Sequence, residues 1–226
     1  MYINTNGIVL REVTYKDSSK ILTILTSSEG KLTVSAHGAH RKNSKLAAVT
    51  QLLVFSEMTL SQRKDRWTLN EAQSIEQFIG LRDDLKLLSL GAYIAELTEA
   101  VADEDSPNPE LLPLCLNSLY ALSEKLKAPE YVKPAFELRL MSISGFKPIL
   151  NETKNEYAHL TSEEGTITLG EEALGAAGYI LSCDAKKLFS FKLPPPALRE
   201  LSTVTESYLL THLDRTFKTL DYYHRV

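Results

Sequence analysis

Ile21-Leu-Thr-Ile-Leu-Thr-Ser-Ser-Glu-Gly-Lys-Leu-Thr-Val-Ser-Ala36 holds two short apolar runs on either side of a polar turn that ends in glycine. Short, β-branched, largely alternating runs suit strands with one face buried, and Ser27-Ser28-Glu29-Gly30 suits the reversal between them. This stretch predicts an antiparallel hairpin.

Working outward, the same short period recurs at Ile3 to Glu12, Leu52 to Leu60 and Trp67 to Ala72. Polar Thr14 to Ser19 and charged Ser61 to Arg66 supply further turns. Lys45 to Gln51 has the composition of a short helical turn. Five strands in roughly 75 residues are too few for two well-filled sheets but enough for a small closed barrel of the OB type. Such barrels take oligonucleotides on an exposed sheet face and its flanking loops.

Past Phe78 the period lengthens to that of helices. Leu81 to Val101 carries Leu85, Leu88, Ala92, Ala95, Leu97 and Val101 and stops at Asp103-Glu104-Asp105. Leu111 to Leu126 follows a proline-marked start, and Pro129 to Ser144 places Val132, Phe136, Leu140 and Ile143 on one face before Gly145. Three such helices should pack as a bundle. Tyr157 to Leu160 and Thr166 to Leu169, across Ser162-Glu-Glu-Gly165, read as a β-hairpin. Helices are predicted again over Glu171 to Ser182 and Asp184 to Phe191, and a last one from Ala197 to about Leu213 after Pro194-Pro195-Pro196. The expected class is therefore α+β, with a five-stranded barrel domain over 1–80 and an α-helical domain over 81–226.

Composition is that of an ordinary globular chain, 43% hydrophobic and 24% charged over 226 residues. No run is long and apolar enough to span a bilayer, and Met1 to Leu10 lacks the pattern of a secretory signal, so a cytoplasmic protein is expected. Cys115 and Cys183 are far apart and lie in apolar segments, which excludes a disulfide framework or a four-thiolate metal site. Both are expected to be buried, reduced thiols.

The net charge of −4 is unevenly distributed. Residues 1–80 hold ten Lys/Arg against seven Asp/Glu, whereas 81–226 hold fifteen against twenty-two. The basic excess concentrates in 37–67, where Arg41, Lys42, Lys45, Arg63, Lys64 and Arg66 face only Glu57 and Asp65. Gly38-Ala-His-Arg-Lys-Asn-Ser-Lys45 directly follows the second quoted strand, so its cations should project from a barrel rim, where they suit a polyanion. The alternative is a solvated loop that binds nothing. His37 and His40 lack a cysteine or carboxylate pair to complete a metal set and read as loop histidines.

Five ordered matches carry a family resemblance. Gly7-Ile-Val-Leu-Arg11, Tyr15-Lys-Asp-Ser-Ser-Lys-Ile-Leu-Thr-Ile-Leu-Thr26 and Gly30-Lys-Leu-Thr-Val-Ser-Ala-His-Gly-Ala-His-Arg41 resemble the amino-terminal domain of the bacterial recombination mediator family RecO. Gly145-Phe-Lys-Pro-Ile-Leu150 is similar to the segment before that family's zinc-binding insertion, and His212-Leu-Asp-Arg-Thr-Phe-Lys-Thr-Leu220 to its closing motif. The resemblance implies an OB-fold domain joined to a helical domain, without an enzymatic active site. It further implies binding of single- and double-stranded DNA, annealing of complementary strands and, with RecR, help to RecA in replacing single-strand DNA-binding protein (SSB).

The insertion, about 146–172, departs from the pattern. Many members place two Cys-x-x-Cys pairs there, where spacing gives this chain Thr153 and Glu156, then roughly Leu169 and Glu172. With no thiolate at any of the four, no zinc or other cofactor is expected, and packing of Tyr157, Leu160, Ile167 and Leu169 against Tyr179 and Leu181 must replace it.

On the DNA-binding reading, Lys20, Arg41, Lys42 and Lys45 are expected to contact phosphates, joined by Arg63, Lys64 and Arg66, with Arg11 and Lys31 as lesser candidates. Trp67 either stacks on an exposed base or plugs the barrel. In the acidic helical part, Arg139 first, then Lys133, Lys125 and Lys127, are candidates to receive the acidic, aromatic tail of SSB, against the reading of ordinary solvated charges.

An enzyme is disfavoured. Asp83-Asp84 and Asp103-Glu104-Asp105 sit where capping and solubility explain them, and phosphate-cradling, nucleophile-elbow and metalloprotease motifs are missing. An OB-fold RNA binder or a non-catalytic adaptor remains the alternative.

Overall fold

The computed structural model describes residues 1–151, 158–162 and 165–226. Five strands come first: β1 (Tyr2–Tyr15), β2 (Ser19–Thr26), β3 (Gly30–Ala36), β4 (Phe55–Arg63) and β5 (Arg66–Glu76). They close into a barrel in the order β1-β2-β3-β5-β4, as the strand count predicts. Every contact is antiparallel except β3 with β5, where Val34 lies beside Trp67 and Ser35 beside Thr68.

Alternation fills the interior. Leu22 and Ile24 of β2, Leu32 and Val34 of β3, Met58 and Leu60 of β4, and Trp67 and Leu69 of β5 meet in one cluster with Val9 and Ala36. Each buried aliphatic side chain contributes about 1.5–3 kcal/mol relative to exposure. The β2–β3 turn depends on Gly30, whose φ is +70° and whose added Cβ would lie 2.4 Å from the Ser106 carbonyl oxygen. The β4–β5 turn uses Lys64 and Asp65 at positive φ, the backbone of a two-residue hairpin.

Leu52 to Val54 precede β4 instead of opening it, since Val54 and Leu53 bond to Val9 through backbone groups off the ladder. Lys45 to Gln51 forms hydrogen-bonded turns, with the Thr50 amide on the Leu46 carbonyl. The helix expected from Leu81 is divided: a 3-10 turn over Ile79–Asp83 gives way to α1 (Leu85–Val101) because the Asp84 side chain caps the amides of Lys86 and Leu87.

Packing separates two units, residues 1–123 with 219–226, and residues 124–218. The change from strand to helix near residue 80 thus falls inside the first, which also contains α1 and α2 (Leu111–Ser123). The final helix α6 (Lys218–Tyr223) is a further element beyond the one expected to be last, and Thr219 donates to Glu96 of α1.

The second unit holds α3 (Pro129–Ile143), α4 (Glu171–Ser182) and α5 (Pro195–Leu213). The expected hairpin is present as β7 (Ala158–Ser162) and β8 (Gly165–Leu169), and β6 (Ile149–Asn151) adds a third strand. Asp184 to Phe191 is not a helix; only Ala185–Lys187 makes a 3-10 turn. The segment makes only short i to i+3 turns, with the Ser190 amide on the Lys187 carbonyl, and side chains add the Tyr179 hydroxyl on the Lys187 carbonyl and the Lys127 ammonium on that of Phe191.

Candidate nucleic-acid interface

Paired residues of adjacent strands point to the same side of a sheet, so register identifies what the barrel presents outward. Tyr2 pairs with Ser61, Ser61 with Thr68, Thr68 with Ser35, Ser35 with Ile21 and Ile21 with Val13. None of the six is buried. This rank circles the barrel and returns to β1 at Val13, not Tyr2, which is the stagger that closure requires. A second rank beside it runs from Arg63 to Arg66.

Small hydroxyls occupy the middle of this face and cations border it. Arg63, Lys64 and Arg66 are exposed at the β4–β5 hairpin. Arg41, Lys42 and Lys45 are exposed on the loop that leaves β3 after Ala36. Because Val34 lies level with Trp67, Arg66 and Ala36 are offset by three residues along the β3–β5 seam, about 10 Å. The basic loop after β3 and the basic β4–β5 hairpin therefore leave the seam at its opposite ends, one cationic segment at each.

Sequence reading missed Lys16, exposed in the β1–β2 turn. The His40 amide donates to the Ser18 carbonyl at 3.0 Å, which ties that turn to the basic loop. The hydroxyl shelf of Ser35, Ser61 and Thr68 was also missed; single serines and threonines carry no signal until register aligns them.

Three expected phosphate contacts, Lys20, Arg11 and Lys31, are engaged within the protein, and of the two readings of Trp67 the plug holds. Lys20 is 9% exposed, with its ammonium on the Glu12 carboxylate and the Thr50 carbonyl. It shares the inward parity of Leu22 and Ile24, so it closes one end of the barrel interior. Arg11 projects outward but pairs with Glu99 of α1 at 2.9 Å. Lys31 donates to the Glu99 carbonyl at 3.1 Å, so α1 occupies both lesser candidates. Trp67 is 7% exposed within the barrel cluster and is the plug. His37 and His40 are exposed.

The helical candidates also change. Lys133 is buried between Glu137 and Glu206, each at 2.7 Å. Burial alone would lower its pKa, but the two carboxylates outweigh that and hold it above 10.5. Arg139 donates to the Cys183 carbonyl. Lys127 lies 4.3 Å from the Tyr131 ring centroid, and burial followed by the like charge of Lys192 lowers its pKa. Lys125 alone of the four is exposed. A groove of about 380 Å³ lies elsewhere in this unit, lined by Lys147, Ile149, Leu150 and Leu181 among others.

Two of the four positions of the zinc motif, Leu169 and Glu172, lie among the described residues. Leu169 is fully buried and apolar, and Glu172 is exposed in the first turn of α4. Thr153, Glu156 and Tyr157 lie outside the described residues; Leu160 pairs with Ile167 in register. Leu181 is buried, while Tyr179 bonds Lys187. Among the described residues no group of three His, Cys, Asp or Glu could hold a metal ion. Cys115 is buried as expected, but Cys183 is only partly so. No described helix is long and apolar enough to cross a membrane.

The family model described as Recombination protein O N terminal matches residues 1–78, and that described as Recombination protein O C terminal matches 82–221. Among similar proteins, DNA repair protein RecO of Acetivibrio thermocellus is 33% identical over 98% of this chain and 96% of its own. DNA repair protein RecO of Alkaliphilus metalliredigens is 32% identical over 98% of each chain.

Proposed function

The chain belongs to the RecO family of DNA repair and recombination proteins, and from that premise we propose that its barrel grips single- and double-stranded DNA through phosphates and anneals complementary strands. The observation that supports this reading is that Arg41, Lys42, Lys45, Arg63, Lys64 and Arg66 are all exposed, on the loop and the hairpin that leave the two ends of the β3–β5 seam.

Two phosphate backbones repel. A surface that neutralises one strand and leaves its base edges free lowers the cost of bringing up the complement. No catalytic group takes part, and the protein acts as a mediator that, with RecR, assists loading of RecA onto SSB-coated DNA in the cytoplasm, at the nucleoid. The groove beside Lys147 supports assigning the acidic, aromatic tail of SSB to the helical part, since its floor is apolar and its margin cationic.

Strand annealing by wild type beside Arg41→Glu/Lys42→Glu tests the proposal, with circular dichroism to verify folding. Annealing should fall at least tenfold. Equal annealing by both would remove the basic loop from the mechanism, and a preference for RNA over DNA of equal length would favour an RNA binder.

A further inference from the structure

With Trp67 turned into the barrel, base stacking requires another aromatic platform. Two tyrosines on the outer face meet that need. Tyr2, 77% exposed, begins the rank that continues through Ser61, Thr68 and Ser35. Tyr15, 48% exposed, lies on the same face of β1 two residues beyond Val13, where the rank ends.

Cations accompany the strand segments at both ends. The Tyr2 neighbourhood is fixed by the Gln62 amide on the Met1 carbonyl at 2.9 Å, one residue before Arg63. The Lys16 ammonium lies 5.2 Å from the Tyr15 ring centroid. The His40–Ser18 hydrogen bond holds the Arg41 and Lys42 segment against the same turn.

We infer that Tyr15 and Tyr2 are stacking platforms for the bases of single-stranded nucleic acid, at the two ends of a strand path laid across β1, β4, β5, β3 and β2. Five inter-strand steps of about 4.8 Å give the path a length near 24 Å, enough for about four nucleotides, the lower end of what one OB barrel holds. Between the rings, Ser61, Thr68 and Ser35 are small enough to let a sugar-phosphate chain approach, and Arg63, Arg66 and the 41–45 cations take its charge. The inference rests on the phosphate-gripping reading above and adds to it a contact that only unpaired bases can make. It makes the surface prefer single strands over duplex, because bases stacked within a duplex cannot reach either ring.

The test uses a thymidine oligonucleotide of about 20 nucleotides and an abasic deoxyribose-phosphate oligomer of equal length, with wild type, Tyr15→Ala, Tyr2→Ala and Tyr15→Phe. Tyr15→Ala should lose about 5- to 100-fold on the thymidine oligomer and less than twofold on the abasic one, Tyr2→Ala should do the same, and Tyr15→Phe should retain wild-type affinity. Equal losses on both oligomers, or no loss on either, would overturn the inference while abasic binding by wild type still upheld the phosphate reading. Failure of wild type to bind the abasic oligomer would instead overturn that reading and the inference with it.

Discussion

Val34 and Trp67 sit side by side in parallel register, the contact that closes the barrel. From this pair the chain runs one way into the basic loop after Ala36 and back the other way into the β4–β5 hairpin. The inward side chains of the same pair belong to the barrel core. One register thus sets both what is buried and what faces outward.

Trp67→Ala should destabilise the protein by about 3–5 kcal/mol, as expected for removing a large buried aromatic. Thermal unfolding measures this. Affinity per folded molecule for single-stranded DNA, taken well below the transition, should stay within twofold of wild type.

Lys20→Met should behave similarly for a different reason. Removing the ammonium leaves the Glu12 carboxylate without its ion pair and the Thr50 carbonyl without a donor. Because Glu12 is about one-third exposed, the cost should be about 1–3 kcal/mol, less than for a fully buried pair. Denaturant unfolding should register the loss while the salt dependence of DNA binding stays unchanged.

Lys133→Met should cost about 3–5 kcal/mol by leaving Glu137, which is 0% exposed, with an uncompensated charge. The wild-type Lys133 has a folded pKa raised above 10.5 by Glu137 and Glu206 against the opposing effect of burial. Its stabilisation is fully present below 10.5 and is lost as pH climbs through the folded value. In wild type this stabilisation should persist through neutral pH and be lost only in strong alkali, as denaturant unfolding against pH would register.

Cys115 should resist thiol reagents in the native protein. Burial pushes its pKa up to about 12, so the reactive thiolate is scarce at pH 8. Cys183, partly exposed, should react first, and titration with a disulfide reagent should count one fast thiol before unfolding and two after.

Much of the barrel was legible because strand alternation is a local property. The five apolar runs, the Gly30 turn and the charged 61–66 reversal each follow from neighbours in sequence. The positions of Lys20 and Trp67 were also readable in principle, since each shares parity with buried residues two positions on, Leu22 and Leu69. Arg11 and Lys31 were not, because Glu99, which takes both, lies on a helix whose docking no local pattern discloses. The same holds for Lys133, a surface-like lysine by composition that pairs with Glu206, 73 residues away. The outer rank from Tyr2 to Val13 depends on closure and stagger together, which a single strand does not encode. Asp184 to Phe191 has helical composition but forms only a 3-10 turn over Ala185–Lys187, and its tie to Lys127, 64 residues from Phe191, is not visible in local pattern.

Salt dependence of single-strand affinity tests the central claim most directly, with wild type compared to Arg41→Gln/Lys42→Gln/Arg63→Gln/Arg66→Gln. If wild type neutralises about four phosphates, log K against log salt should have a slope near −3, and the quadruple variant, which keeps Lys45 and Lys64, should have a clearly shallower one while keeping its fold. A slope shared by both proteins, or a flat response in wild type from about 50 mM upward, would contradict the account.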